Sequence, residues 1–209
     1  MAAPSDTRPP RRSAARERLL AAASDLFYAE GINNVGVDRI VAASSVTLAT
    51  FYRHFPSKQD LVVAYLQAIH DALAEHAATL SATASGRELI TALGAEVGAE
   101  IEHDRFRGCA FINAASEFED PQSPVRQVVA THRRWYLERI RQAFADAGHR
   151  QPGDAARHFV MLRDGAVTAA YLDSPRAAQE TFARGVAGLI STIDHLPGDA
   201  EETDNVGDA

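Results

Sequence analysis

Among 209 residues there is one cysteine, Cys109. A single cysteine makes no intrachain disulfide and excludes a zinc site built on several thiolates. No apolar run approaches the ~18 residues of a membrane span, so no transmembrane segment is expected. The start, Met-Ala-Ala-Pro-Ser-Asp, has no apolar stretch before a cleavage site. A secretory signal is therefore not expected, and the expected compartment is the cytoplasm. Strand-like alternation bounded by hairpin signals is missing, as is any internal repeat. There is no phosphate loop, dinucleotide fingerprint, Gly-x-Ser-x-Gly or nucleophile–base spacing, so no catalytic residue and no cofactor is assigned. The eight histidines include no His-x3-His or His-Glu-x-x-His. His70 and His76 are six apart, off a common helix face, and His103, His132, His149, His158 and His195 stand singly. No metal site is expected; surface or core histidines are the better reading. Lysine is nearly missing too: of 21 basic residues only Lys58 is one.

The net charge of -7 is unevenly spread. Residues 1–63 carry eight basic and six acidic side chains, whereas 64–209 carry thirteen and twenty-two. A mildly basic head on an acidic body is compatible with nucleic-acid binding by the head. Residues 1–12, rich in Pro, Arg and Ser, read as a disordered arm, and 197–209 as a disordered acidic tail. Between them the periodicity is helical throughout. Leu19, Ala22, Ala23, Leu26 and Phe27 form one stripe that Gly31 ends. Val37, Ile40 and Val41 form a second, and a third helix spans about 47–54. Ser57, with Asp60 at the capping-box position, opens a long helix over 57–82. Further helices are expected at 86–103, 108–118, 122–147, 154–172 and 175–195. The fold class is all-α with about nine helices.

Three short helices within 13–55, the second and third joined by Ala43-Ser44-Ser45-Val46, have the spacing of a helix-turn-helix. Val46, Phe51 and Phe55 face inward. Thr47, Leu48, Ala49, Thr50, Tyr52, Arg53 and His54 leave hydroxyl, small, aromatic and basic groups on the surface. Such a helix suits a major groove. Thr50 and Arg53 can reach base edges, Leu48 or Ala49 a thymine methyl, and Tyr52 and His54 phosphates. Lys58, at the start of the next helix, can meet a phosphate together with free amides. The plainer alternatives are a purely structural three-helix bundle, and Tyr52 and His54 as mere cover for it. For Arg8, Arg11 and Arg12, solubility is preferred over a minor-groove contact.

At these residues the chain resembles the TetR-type transcriptional regulators. The resemblance runs from Arg16 to Leu66. It is carried by Leu26-Phe27-Tyr28-Ala29-Glu30-Gly31, by Val37-Asp38-Arg39-Ile40-Val41, and above all by Thr50-Phe51-Tyr52-Arg53-His54-Phe55-Pro56-Ser57-Lys58. Arg107-Gly108-Cys109-Ala110-Phe111-Ile112-Asn113-Ala114 also looks like a segment of one subgroup, to which no ligand is attached. Two departures stand out. Ser45 occupies a turn position that usually carries Gly and often needs positive φ. Leu48 stands where a polar or basic residue is common, so the operator sequence does not transfer from relatives.

The resemblance implies a DNA-binding head over 13–56 and a ligand-binding and dimerisation domain over 57–196. The expected partners are a palindromic double-stranded operator, a second copy of the chain and an unidentified effector. Expected pocket residues are Tyr65, Ile69, Phe106, Cys109, Phe111, Ile112, Phe118, Trp135, Tyr136 and Arg139, which suit an apolar or aromatic molecule. Aromatics at helical spacing are also ordinary core, and a lone cysteine is commonly a buried filler. Expected interface residues are Phe159, Leu162, Ala166, Ala169, Phe182, Val186, Leu189, Ile190 and Ile193; the alternative is that these faces close the subunit's own core. The expected function is a repressor released by a small molecule and not an enzyme. The alternative is a DNA-binding regulator or activator with no such switch.

Overall fold

Apolar stripes of helical period, cut by Gly and Pro, lead to helices alone. The computed structural model describes residues 13–193. Among the described residues there are nine helices and no strand: α1 (Ala14–Glu30), α2 (Val37–Ser44), α3 (Leu48–His54), α4 (Lys58–Thr83), α5 (Gly86–Ile101), α6 (Ala110–Glu117), α7 (Pro124–Asp146), α8 (Pro152–Leu172) and α9 (Pro175–Ser191). The arm 1–12, residues 194–196 with His195, and the tail 197–209 lie outside the described residues. No described helix is long and apolar enough to cross a membrane.

The ends follow from local chemistry. Gly31, at φ 88°, closes α1 by donating its N–H to the Phe27 carbonyl. Thr47 caps α3 by accepting from the Thr50 N–H. Ser57 accepts from the Asp60 N–H at 3.1 Å and donates its hydroxyl to the Asp60 carboxylate at 2.7 Å, which starts α4. Ser174 caps α9 ahead of Pro175.

The described residues form two compact units, 13–75 with 109–132 and 76–108 with 133–193. The division is expected between 56 and 57; contacts cut the chain within α4, between Gly108 and Cys109 ahead of α6, and within α7. In the first unit α1, α2 and α3 pack on one another around Leu19, Phe27, Ile40 and Phe51. Tyr65 sets its ring edge-on to Phe27 at 5.7 Å. Its phenol, buried near Tyr28, Cys109 and Glu117, is pushed well above its ordinary pKa, chiefly by desolvation. In the second unit α5, α8 and α9 pack together. The approach of α8 and α9 is close: a Cβ at Gly185 would stand 2.9 Å from Leu162 Cδ1. Phe159 and Phe182 meet edge to face at 5.6 Å.

Candidate nucleic-acid interface

α3 is seven residues long, and its two faces differ sharply. Phe51 is fully buried and Phe55 nearly so, while Leu48 is 44% and Tyr52 50% exposed. Phe51 touches both Tyr52 (5.1 Å) and Phe55 (6.1 Å), so the inner rings fix the outward direction of Tyr52. Truncating a fully buried Phe typically costs about 3–5 kcal/mol, so Phe51 holds the helix in place without taking part in its exposed surface. Leu48 with Tyr52, and Ala49 with Arg53, are i,i+4 pairs, and all four residues are exposed.

The other predicted contact residues are more constrained. Thr47 and Thr50 bond each other's hydroxyls at 2.9 Å, besides the cap. Whichever hydroxyl donates, that of Thr50 retains acceptor capacity toward a ligand. His54 is half-buried, with Nε2 3.3 Å from Ser13 Oγ, so it is tied back to the start of α1. Lys58 is half-buried in the first turn of α4. Its pKa is lowered by that burial, against which the Glu117 carboxylate acts.

The turn before α3 has the conformation its sequence position demands. Ser45 lies at φ 52°, ψ 44°, the one non-glycine with positive φ among the described residues. Its N–H donates to the Ala42 carbonyl and that of Val46 to Val41, closing α2. Arg18 Nε donates to the Ser44 carbonyl at 3.3 Å, tying the turn to α1. Two further contacts brace the head. Arg39 makes a two-pronged ion pair with Glu30. Glu117, at the end of α6, accepts the N–H groups of Ile32 (2.9 Å) and Asn33 (2.5 Å) in the α1–α2 loop. Arg126 in turn donates to the Ala115 and Phe118 carbonyls. Sequence reading missed Arg18, Glu117 and Arg126. The α6–head pairing spans about 85 residues and has no local signature.

The pocket candidates divide between the units. Tyr65, Ile69, Cys109, Phe111, Ile112 and Phe118 belong to the first; Phe106, Trp135, Tyr136 and Arg139 belong to the second. Cys109 is buried and free, ahead of α6. Phe111 lies flat on His132 at 3.6 Å, and His132 Nδ1 is 3.1 Å from His70 Nδ1. Two histidines that sequence spacing does not pair are thus neighbours. Among the described residues no group of three or more His, Cys, Asp or Glu is placed to hold a metal ion. In the second unit the Tyr136 phenol is pushed up to about 12, mainly by desolvation.

Of the interface candidates, Phe159, Ala166, Phe182, Val186 and Leu189 are buried within the single chain, and Leu162, Ala169, Ile190 and Ile193 are half-buried. Val186 lies where a Cβ on Gly94 of α5 would meet it at 3.2 Å. The exposed side of α8 instead carries Met161 (73%) and Leu172 (69%), with Gly165 and Thr168 between them at helical spacing.

The family model "Bacterial regulatory proteins, tetR family" matches residues 19–65, the helix-turn-helix and the start of α4. The HTH-type transcriptional activator FasR of Mycolicibacterium smegmatis is 31% identical over 166 residues, 79% of this chain and 72% of that protein. The HTH-type transcriptional regulator TcmR of Streptomyces glaucescens is 37% identical over 57 residues, 27% of this chain and 25% of that protein. Among solved structures, SCO4454, a TetR-family transcriptional regulator from Streptomyces coelicolor, is 40% identical with a TM-score of 0.84, covering 88% of this chain and 98% of that one. The exposed face of α3 behind its left-handed turn, the all-helical layout and these likenesses agree: the chain is a DNA-binding transcriptional regulator and belongs to the tetR family of bacterial regulatory proteins.

Proposed function

We propose that the chain acts as a homodimeric repressor that binds a palindromic operator through α3 and is released by a small molecule. The observation that carries the DNA contact is the outward set of Leu48, Ala49, Tyr52 and Arg53, held against a rigid aromatic interior. Tyr52 and Arg53 meet the duplex directly; Thr47, Thr50 and His54 contribute through atoms not spent on capping; Lys58 serves a phosphate. A helix this short reads only a few base pairs. Specificity then needs two heads on half-sites about 34–36 Å apart, which supports dimerisation. A surface open to a partner is the Met161–Leu172 side of α8, where nothing lies within 4 Å of a Cβ added at Gly165.

Selection of duplexes from a random pool tests this reading. The expected product is an inverted repeat carrying two chains per duplex by analytical ultracentrifugation. A single unrepeated site bound by one chain would contradict it. Release follows linkage: a tenfold loss of operator affinity takes ~1.4 kcal/mol of coupling, and operator must weaken the effector equally. One relative favours a second reading, because FasR is named as a transcriptional activator. In that reading the chain is a regulator or activator without a small-molecule switch. Transcription in vitro from a promoter bearing the selected site separates repression from activation: output falls for a repressor and rises for an activator.

A further inference from the structure

Within the second unit, α7 places Trp135, Tyr136 and Arg139 along one side by their i, i+3 and i, i+4 spacing. All three are half-buried. The cations near them have acceptors. Arg163 bonds Asp164 at 3.2 Å and lies 5.8 Å over the Tyr136 ring, and Arg133 bonds the same Asp164 at 2.8 Å. Arg139 differs. Its Nη2 is the one buried side-chain nitrogen or oxygen without a hydrogen-bond partner among the described residues. The acidic group that acts on it is Glu96 of α5, whose Oε1 is bonded to His76 Nε2 at 2.6 Å.

A guanidinium does not deprotonate in a protein, so a buried Nη2 without an acceptor is a standing cost. Such a donor fits a planar anion that accepts from it in the guanidinium plane. The charge balance favours a monoanion. One unmatched cation flanked by Glu96, with Glu100 acting on Tyr136, suits a carboxylate better than a phosphate carrying close to two charges. The half-buried Trp135 and Tyr136 rings, 6.4 Å apart, offer apolar surface beside it.

We propose that Arg139 is the carboxylate anchor of the effector site, and that the effector is a small organic acid with an apolar or aromatic body. The proposal rests on the reading that a small molecule controls this regulator. The test uses matched probes on the full chain: octanoate against octanamide, and 3-phenylpropanoate against 3-phenylpropanamide, by isothermal calorimetry. The acids bind about ten- to a hundredfold tighter than the amides. In Arg139→Met that preference disappears, and in Arg139→Lys part of it remains, because the charge stays while the fork is lost. Without probe, Arg139→Met melts at or above the parent temperature, since the removed Nη2 had no hydrogen-bond acceptor.

Equal binding of acids and amides, binding of neither at millimolar concentration, or an undiminished preference in Arg139→Met would overturn the anchor. A large fall in the melting temperature of Arg139→Met would also do so, because it would make Arg139 a structural group. Operator release is read separately by fluorescence anisotropy. Acids held through Arg139 that leave operator affinity untouched keep the anchor and remove the switch. Release by amides as readily as by acids keeps the switch and removes the anchor.

Discussion

Ser45 bears the backbone conformation on which the helix-turn-helix depends. At φ 52° its Cβ crowds the following carbonyl, a cost of about 1–2 kcal/mol for an L-residue. Glycine avoids that cost but loses more chain entropy on folding, about 0.5–1 kcal/mol. Ser45→Gly is therefore expected to stabilise the head by about 0.5–1 kcal/mol in urea denaturation, with operator affinity unchanged because Arg18 still holds the Ser44 carbonyl. A destabilised variant would show that the serine side chain contributes to the turn. This position was legible through the family resemblance, which puts a glycine-favouring turn at Ser45; the serine itself carries no such signal. Phe51 and Tyr52 were legible from periodicity: adjacent helix positions lie about 100° apart, so one ring joins the inward stripe and the other leaves it, and burial followed the expected assignment. His54 was less so. Its half-burial against Ser13 depends on a helix 41 residues earlier.

At the scale of elements, helix ends were legible wherever a local device sets them: Gly31, Ser57 with Asp60, Ser174 before Pro175. What α6 does was not. Its terminal Glu117 accepts two loop N–H groups of the head, and the half-buried Ile32 N–H has that carboxylate as its partner. Glu117→Ala removes a charged acceptor from these donors and is expected to cost about 1–3 kcal/mol of stability. Hydrogen exchange at the Ile32 and Asn33 amides should accelerate with it. Unchanged protection at both amides would mean that the loop is held by other contacts. The same distance effect explains why spacing did not sort the pocket candidates by unit: helical spacing identifies a buried face but not which neighbour covers it, and Tyr65 packs edge-on to Phe27.

For the whole molecule, the interface reading turns on which apolar residues the chain spends on itself. Leu189 is buried in the second unit, whereas Met161 and Leu172 are exposed. Leu189→Asp buries an unpaired carboxylate and is expected to unfold the chain. Met161→Asp with Leu172→Asp is expected to leave the fold and melting behaviour intact yet yield monomers in analytical ultracentrifugation. A double variant that remains dimeric would place the interface on another face. Periodicity showed stripes on α8 and α9 but could not say which stripe faces inward. That follows from packing against α5, which only the folded chain supplies. The central claim is that α3 reads DNA and Lys58 holds its backbone. The most direct test compares Tyr52→Ala, Arg53→Ala and Lys58→Ala on the selected duplex and on unrelated DNA across a salt series by fluorescence anisotropy. Tyr52→Ala and Arg53→Ala should each weaken the selected duplex by about 1–3 kcal/mol, Arg53→Ala with little effect on unrelated DNA. Lys58→Ala should weaken both and lower the slope of log K against log salt by about one per subunit. If Tyr52→Ala and Arg53→Ala bind the selected duplex as the parent does, α3 is not the reading helix.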